Sequence, residues 1–268
     1  GSLLSYNTDM TLQGRVQSAS GTLTGVNALG NLTFTPRAEF GEGGATTTTF
    51  SDSRHRGSAV VVDSESIFIA GCSVCFSGEA FVMSLDKTTS DLQWSTTTPE
   101  IEWARGIGVD ENNVYITGND VDDNFIVMAF DKITGEQIWT ASQDIPNASS
   151  AFLSGGLSVD AHSVYISGEC FLCGDGGRFA IVNIAFDKHT GTVLWTTVTD
   201  PTDQDERPQD VVVDESAFYV ISEQATTFPD EQFLTIAYDK LTGTELWSTT
   251  TDPGITGGNE PPEAIAVD

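Results

Sequence analysis

Residues 185–195 read Ala-Phe-Asp-Lys-His-Thr-Gly-Thr-Val-Leu-Trp, and the chain repeats the core of this phrase four times. In every copy an Asp-Lys pair is followed by a Trp eight positions after the Asp. The repeat-defining residues are Asp86 and Trp94, Asp131 and Trp139, Asp187 and Trp195, and Asp239 and Trp247. A repeat of about 50 residues that is built from short β segments is typical of a propeller or another radial array.

A second landmark precedes each phrase. It is a short apolar run closed by Asp63, Asp110, Asp160 or Asp214, and a second run of aromatic and β-branched residues follows four positions later. Such runs, bounded by Asp, Asn, Ser and Gly, predict strands joined by tight turns. A third run leads into the Asp-Lys pair and a fourth carries the Trp. Each repeat is therefore predicted to be a four-stranded blade, with strands A to D; the blades span 58–98, 105–142, 155–199 and 209–251.

The turn between strands C and D carries its own chemistry. Asp and Thr side chains can bond nearby backbone groups there, and Gly supplies the positive φ that a tight turn needs. Blade one has Ser90 in place of that Gly, so its turn is expected to differ. One Trp per repeat suits a ring that fills the seam between neighbouring blades, although a ring of Trp could instead line a ligand channel.

The Asp landmark recurs a fifth time at Asp268, which predicts a last A strand over residues 262–268. Residues 1–57 contain β-rich pieces but neither the Trp nor the Asp-Lys pair. We expect an all-β propeller of four clear blades and a fifth blade, made of strands from 1–57 and closed by the C-terminal strand, because closure removes exposed edges. The alternatives are an excerpt from a longer propeller, or a separate small β unit at the N-terminus.

The phrase resembles the Ala-x-Asp-x-x-Thr-Gly-x-x-x-Trp repeat of the pyrroloquinoline-quinone-like (PQQ-like) β-propellers, as in residues 129–139, 185–195 and 237–247. The A–B halves are similar to the SBBP-type repeats of bacterial and archaeal surface proteins. The resemblance covers 58–268 and concerns the fold. In the enzymes of that family it implies a quinone against two adjacent cysteines, beside a calcium ion, in an eight-bladed ring. This chain has no Cys-Cys pair and is too short for eight such blades, so no quinone cofactor is expected.

Composition points to an exported protein. The net charge is −28, from 39 acidic and 11 basic residues, and all four lysines belong to the Asp-Lys pairs. Such a field repels phosphate backbones and anionic membranes, so nucleic acid is not an expected partner. No apolar run reaches the roughly 20 residues of a membrane helix, so direct membrane insertion is not expected. A marine or halophilic extracellular protein fits this surface; an acidic cytosolic protein is the alternative.

The four cysteines form two Cys-x-x-Cys pairs, Cys72 with Cys75 and Cys170 with Cys173, each after a B strand. A four-residue turn brings its ends within the Cα separation of a disulfide, so two loop staples are predicted, and they imply an oxidising compartment. Zinc is the alternative, because paired Cys-x-x-Cys is also a metal spacing. Zinc would require thiolates from blades one and three to meet across blade two.

Few other residues suggest a site. Asp120, Asp122 and Asn124 place alternating oxygen donors in one tight loop, which suits calcium or is simply a hydrated loop. His162 and His189 fall in turns on one face of blade three, as a shared metal pair or as two solvated side chains. The glycosylation sequons begin at Asn31 and Asn147.

With no Ser-His-Asp or Cys-His arrangement, the expected function is non-catalytic. We expect a secreted or cell-surface propeller that binds protein or glycan, including copies of itself, or has a structural role. A subunit of an extracellular filament or surface layer assembled by strand exchange is the first alternative. A fragment of a propeller-based enzyme is the second, because fold alone does not choose among these.

Overall fold

The computed structural model describes residues 3–5, 13–14, 21–26, 31–36, 46–49, 56–74, 79–146, 148–154, 156–173, 178–200, 204–225, 232–252 and 262–267. All regular secondary structure in these residues is β. The described residues contain no helix with the length and hydropathy that a membrane span requires.

Four sheets follow the four repeats, each an antiparallel meander in which sequence neighbours pair. We call them blades one to four. Blade one is β6 (Arg56–Val62), β7 (Ser66–Val74), β8 (Glu79–Asp86) and β9 (Leu92–Thr98). Blade two is β10 (Gly106–Val109), β11 (Asn113–Asn119), β12 (Phe125–Asp131) and β13 (Gln137–Gln143). Blade three is β15 (Leu157–Val159), β16 (Ser163–Phe171), β17 (Phe179–Asp187) and β18 (Val193–Thr199), with the extra strand β14 (Ser150–Phe152) on β16. Blade four is β19 (Asp205–Val213), β20 (Phe218–Ala225), β21 (Gln232–Tyr238) and β22 (Glu245–Thr251).

Hydrogen bonds between Asp side chains and backbone N–H groups, together with residues of positive φ, form the A–B and C–D turns. In blade one, Asp63 Oδ1 accepts hydrogen bonds from the backbone N–H groups of Glu65 and Ser66, at 2.8 and 2.7 Å. The same Asx arrangement closes the other A–B turns. In the C–D turns Gly135, Gly191 and Gly243 have φ near +70°. Ser90 adopts φ +63° and donates its N–H to the carbonyl of Asp86, so the turn of blade one keeps the shape that its sequence was expected to change.

The four strands of a blade differ in how much of each is buried. Most residues of the central B and C strands are buried, as in β12, where six of seven residues are buried. The D strands alternate, because only the face that carries the Trp meets another blade. β22 is the exception, since all seven of its residues are exposed.

The two ends of the chain contain shorter elements. Two small sheets precede blade one: β1 (Leu3–Ser5) pairs with β2 (Gln13–Gly14), and a three-stranded sheet has the order β3 (Gly21–Val26), β4 (Asn31–Pro36), β5 (Thr46–Thr49). Residues 262–267 are not assigned as a strand, although their sequence predicts one. The N–H of Ile265 instead donates to the carboxylate of Asp210, on the first strand of blade four, at 3.1 Å. The fifth blade remains a prediction.

The chain divides into two compact units. The first comprises residues 1–121 and 128–138, and the second comprises 122–127 and 139–268. In the first unit β6 and β10, the A strands of blades one and two, are neighbours. In the second unit β15 and β19 are neighbours in the same way, and the Oγ of Ser158 accepts the N–H of Val213 between them.

Candidate functional site

The Trp of each of blades one to three lies in a seam against the C–D turn of the next blade. The indole N–H of Trp94 donates to the carbonyl of Lys132 at 2.9 Å. The corresponding distances from Trp139 to Lys188 and from Trp195 to Lys240 are 3.1 and 2.9 Å. Because the amphipathic indole buries its ring and still pairs its N–H, it serves as both filler and hydrogen-bond donor.

The turn glycine is required by this packing as well as by its backbone. A Cβ atom built on Gly191 would lie 2.7 Å from the Trp139 ring, and one on Gly243 would lie 2.6 Å from the Trp195 ring. The φ values of these glycines are also in the left-handed region that favours Gly. The Asp-Lys-x-Thr-Gly turn and the Trp are therefore two halves of one seam.

Ion pairs at the A–B turn complete the seam of blades one and two and the seam of blades three and four. The ammonium of Lys132 lies 3.0 Å from the carboxylate of Asp63 in the preceding blade and also donates to the carbonyl of Asp110 in its own blade. Lys240 repeats this arrangement, 3.1 Å from the Asp160 carboxylate and 2.7 Å from the carbonyl of Asp214. These lysines are about four-fifths buried, so both contacts are shielded from water.

The aspartates in these pairs remain ionised. Burial raises the pKa of Asp63, but the N–H groups of Glu65 and Ser66 and the ammonium of Lys132 outweigh it, and the net effect lowers the pKa. The pKa of Asp160 is lowered by the same balance of burial, turn N–H groups and Lys240.

Blade four presents one half of a seam that no other described blade covers. Trp247 is 47% exposed, whereas Trp195, at the same repeat position, is 9% exposed. The Trp247 ring still packs on its own blade, with its centroid 6.2 Å from that of Tyr219. No hydrogen bond from its indole N–H to another described residue is found. We call the surface formed by Trp247, Thr249 and Asp214 the blade-four face.

The blade-four face carries a carboxylate that is held ionised without a lysine. The hydroxyl of Ser216 and the N–H of Ala217 donate to Asp214 and, with further bonds from the same turn, lower its pKa to about 2. No ammonium group of a described residue lies within ion-pair distance of this carboxylate.

Blade one carries the lysine of a seam without, among the described residues, the carboxylate that pairs with it. The ammonium of Lys87 donates to the carbonyl of Asp63 at 2.8 Å, as the other lysines do within their own blades. Among the described residues, however, Lys87 has no carboxylate partner in a preceding blade. Blade one thus offers the lysine half of a seam, and blade four offers the tryptophan half.

A buried polar group in the seam between blades three and four was not predicted from the sequence. Ser167 and Asn183 are cross-strand partners on the face that carries Ile181 and Ala185, and Tyr238 belongs to the same apolar cluster. All three polar side chains are fully buried, and the Tyr238 hydroxyl faces the side chains of Asn183 and Thr199. Burial raises the pKa of Tyr238 to about 12. Asn183 interrupts an apolar run that has Val at the matching position in blades one and two, and this signal could have revealed it.

The predicted disulfide of blade three is present. Cys170 and Cys173 are bonded, with their Cα atoms 5.9 Å apart, so these sulfurs are not thiolates that could bind zinc. Cys72 is buried and disulfide-bonded, and Cys75 lies outside the described residues.

The remaining predicted site residues do not form a centre in the described part of the chain. Asp120, Asp122 and Asn124 lie in the loop between β11 and β12. No group of three or more His, Cys, Asp or Glu side chains that could hold a metal ion is found among the described residues. The calcium loop stays a prediction.

The other candidates are placed as follows. The N–H of Lys188 donates to the carbonyl of His162, which brings the turns of His162 and His189 together in blade three. Asn31 is the first residue of β4, and Asn147 lies outside the described residues.

Comparison with known families and structures agrees with the repeat. Residues 35–259 match the PQQ-like family model described as outer membrane protein assembly factor BamB. No curated protein matches the chain at a significant level.

Solved structures with a similar fold include two quinohemoprotein alcohol dehydrogenases. For ADHIIG of Pseudomonas putida HK5 the TM-score is 0.53 at 18% identity, over 73% of this chain and 34% of that one. For the Comamonas testosteroni enzyme the TM-score is 0.52 at 17% identity, over 73% and 35%. The Dos1 propeller gives 0.52 at 16% identity, over 88% of this chain and 56% of that one.

These likenesses establish a β-propeller fold, as the repeat predicted, and at such identities they establish the fold alone. The chain spans about a third of the length of the alcohol dehydrogenases it matches.

Proposed function

Because the chain belongs to the PQQ-like propeller family described as outer membrane protein assembly factor BamB, we propose that it is a non-catalytic propeller whose work is binding. Its binding surface is the blade-four face. The observation that carries this proposal is the exposure of Trp247 in a repeat whose other tryptophans are covered. An exposed Trp is typical of binding hot spots, which are enriched in Trp.

We propose an extracellular or cell-surface location for this propeller. The Cys170–Cys173 disulfide supports an oxidising compartment. The net charge of −28 supports a protein or glycan partner over nucleic acid. The partner's contact region is expected to be apolar, with a positive charge that meets Asp214.

Binding to purified surface polysaccharides and secreted proteins tests the proposal. Each is titrated against the full chain and against Trp247→Ala, with Ile133→Ala as the matched control. Ile133 is 74% exposed in the C–D turn of blade two and is not one of the residues of the blade-four face. Loss of binding in Trp247→Ala alone is the expected result. Equal binding by both variants would place the interaction elsewhere.

An enzyme fragment is the competing function, since dehydrogenases share the fold. The full chain is incubated with the quinone, calcium, a primary alcohol and an electron-accepting dye. No dye reduction above that of free quinone is expected. Turnover that requires the chain would contradict a non-catalytic role.

A subunit of an extracellular assembly is the second candidate. The lysine half of a seam on blade one and the tryptophan half on blade four favour it, because one copy carries both.

A further inference from the structure

In the seams between neighbouring blades, the Trp-bearing face of one blade is covered by the C–D turn of the next, and we call such seams filled. In the seam of blades one and two, the carbonyls of Lys132 and Gly135 accept from the indole of Trp94 and the hydroxyl of Thr96, at 2.9 and 2.8 Å. The ammonium of the same lysine pairs with Asp63. The seam of blades three and four repeats all three contacts. The partner of such a face is therefore specified: a C–D turn with two accepting carbonyls and one ammonium.

The blade-four face presents the same three groups at the same repeat positions. Trp247 supplies the indole N–H, Thr249 supplies the hydroxyl two residues later, and Asp214 supplies the carboxylate. Since Asp214 has a pKa of about 2, it carries its charge at any physiological pH.

The C–D turn of blade one has what this face requires. Ser90 holds the left-handed backbone of the turn glycines, so the carbonyls of this turn follow the same path. Lys87 keeps its contact to the carbonyl of Asp63 and lacks a carboxylate partner among the described residues. In the seam of blades one and two and in that of blades three and four, the same contact orients the lysine whose ammonium meets the preceding blade.

We propose that the blade-four face binds blade one of a second copy of this chain, head to tail, and so reproduces an internal seam between molecules. The indole of Trp247 then donates to the carbonyl of Lys87, Asp214 pairs with the Lys87 ammonium, and Thr249 donates to the carbonyl of Ser90. Such a contact is heterologous, so it propagates into a filament or closes into a ring of copies. The inference rests on the proposed binding role of the blade-four face and names its partner.

Salt should control this assembly. Two copies that each carry −28 repel one another at low ionic strength. The Debye length falls from about 30 Å at 0.01 M salt to about 3 Å at 1 M, which removes the long-range repulsion and leaves the short contacts of the seam. Assembly is therefore expected to strengthen as salt rises, opposite to an interface held mainly by opposite charges.

Sedimentation velocity on the full chain, at low and high salt, provides the test. Species larger than one chain are expected at high salt, and Trp247→Ala should weaken the association by about 30-fold, as for a hot-spot Trp. Lys87→Gln should weaken it as well, while the control Ile133→Ala should not. Circular dichroism melts accompany each variant, and Trp247→Ala is expected to stay folded because its side chain is already half exposed.

Three outcomes would overturn the proposal. One is a strict monomer at every salt concentration. Another is an assembly that neither Trp247→Ala nor Lys87→Gln weakens. The third is iodide quenching at low salt that is equal in the wild type and in Trp247→Ala, since this would show that the chain's own residues cover the face. A monomer that still binds a surface ligand through Trp247 would refute the second copy as partner and leave the proposed binding role standing.

Discussion

Trp195 and Trp247 occupy the same repeat position in different environments, which allows a matched test of the seam. Trp195 is 9% exposed, with its ring centroid 6.1 Å from that of Tyr165 and 6.3 Å from that of Phe218. Replacing a buried Trp with Ala typically costs about 3–5 kcal/mol in transfer and cavity terms. The carbonyl of Lys240 also loses its donor, which adds about 1 kcal/mol if water cannot reach it. We therefore expect Trp195→Ala to lower the free energy of unfolding by about 4 kcal/mol.

Trp247→Ala should cost much less. Its side chain is 47% exposed and makes no hydrogen bond to a described residue. The substitution therefore removes only about half of the free energy of burying the side chain, which is ~1–2 kcal/mol. Urea unfolding followed by far-UV circular dichroism measures both variants, with unchanged m-values as the check that the transition is comparable. Equal losses for the two variants, or a loss below about 1 kcal/mol for Trp195→Ala, would refute the seam as a main source of stability.

Three further predictions concern the turns and the disulfide. Gly191→Ala should lower the free energy of unfolding by about 1–3 kcal/mol in the same urea assay, because φ is +72° and the new Cβ would contact the Trp139 ring. An unchanged free energy of unfolding would show that the turn relaxes freely. The folded pKa of Asp214 is lowered from 3.8 to about 2, so its contribution to stability is present above pH 3.8 and is lost as the pH falls towards 2. The stability difference between wild type and Asp214→Asn should accordingly shrink over that window, and a constant difference down to pH 2 would contradict it. Reducing Cys170–Cys173, or changing both residues to Ser, should cost about 2 kcal/mol for so short a loop in melts with and without reductant.

The repeat made most of the fold predictable. An Asp that closes each A–B turn and an Asp-Lys turn that leads to a Trp are local signals, because their side chains bond backbone groups within three residues. Local signals can be read from one sequence. Ser90 was misjudged for a related reason: the other bonds of its turn impose the positive φ that a Ser would not choose alone.

Features that depend on what lies opposite a residue could not be predicted. Trp195 and Trp247 stand in nearly the same local sequence, yet one is covered and the other is exposed. Asn183 within an apolar run could be seen, but its meeting with Ser167 and Tyr238 depends on strand register and on the packing of blade four. The C-terminal run has the composition of a strand and, in the described residues, no paired neighbour strand.

Every lysine of the chain lies in a C–D turn, and this has a practical consequence for labelling. The chain has four ε-amino groups, and the three whose contacts are described each hold a backbone carbonyl, two of them also an aspartate. Amine-reactive dyes, biotin esters and aldehyde fixatives would therefore modify ammonium groups that stabilise the turns and seams. Heavy acylation is expected to destabilise the fold. Fluorophores and tethers are better attached through carboxylates, of which the surface has a large excess.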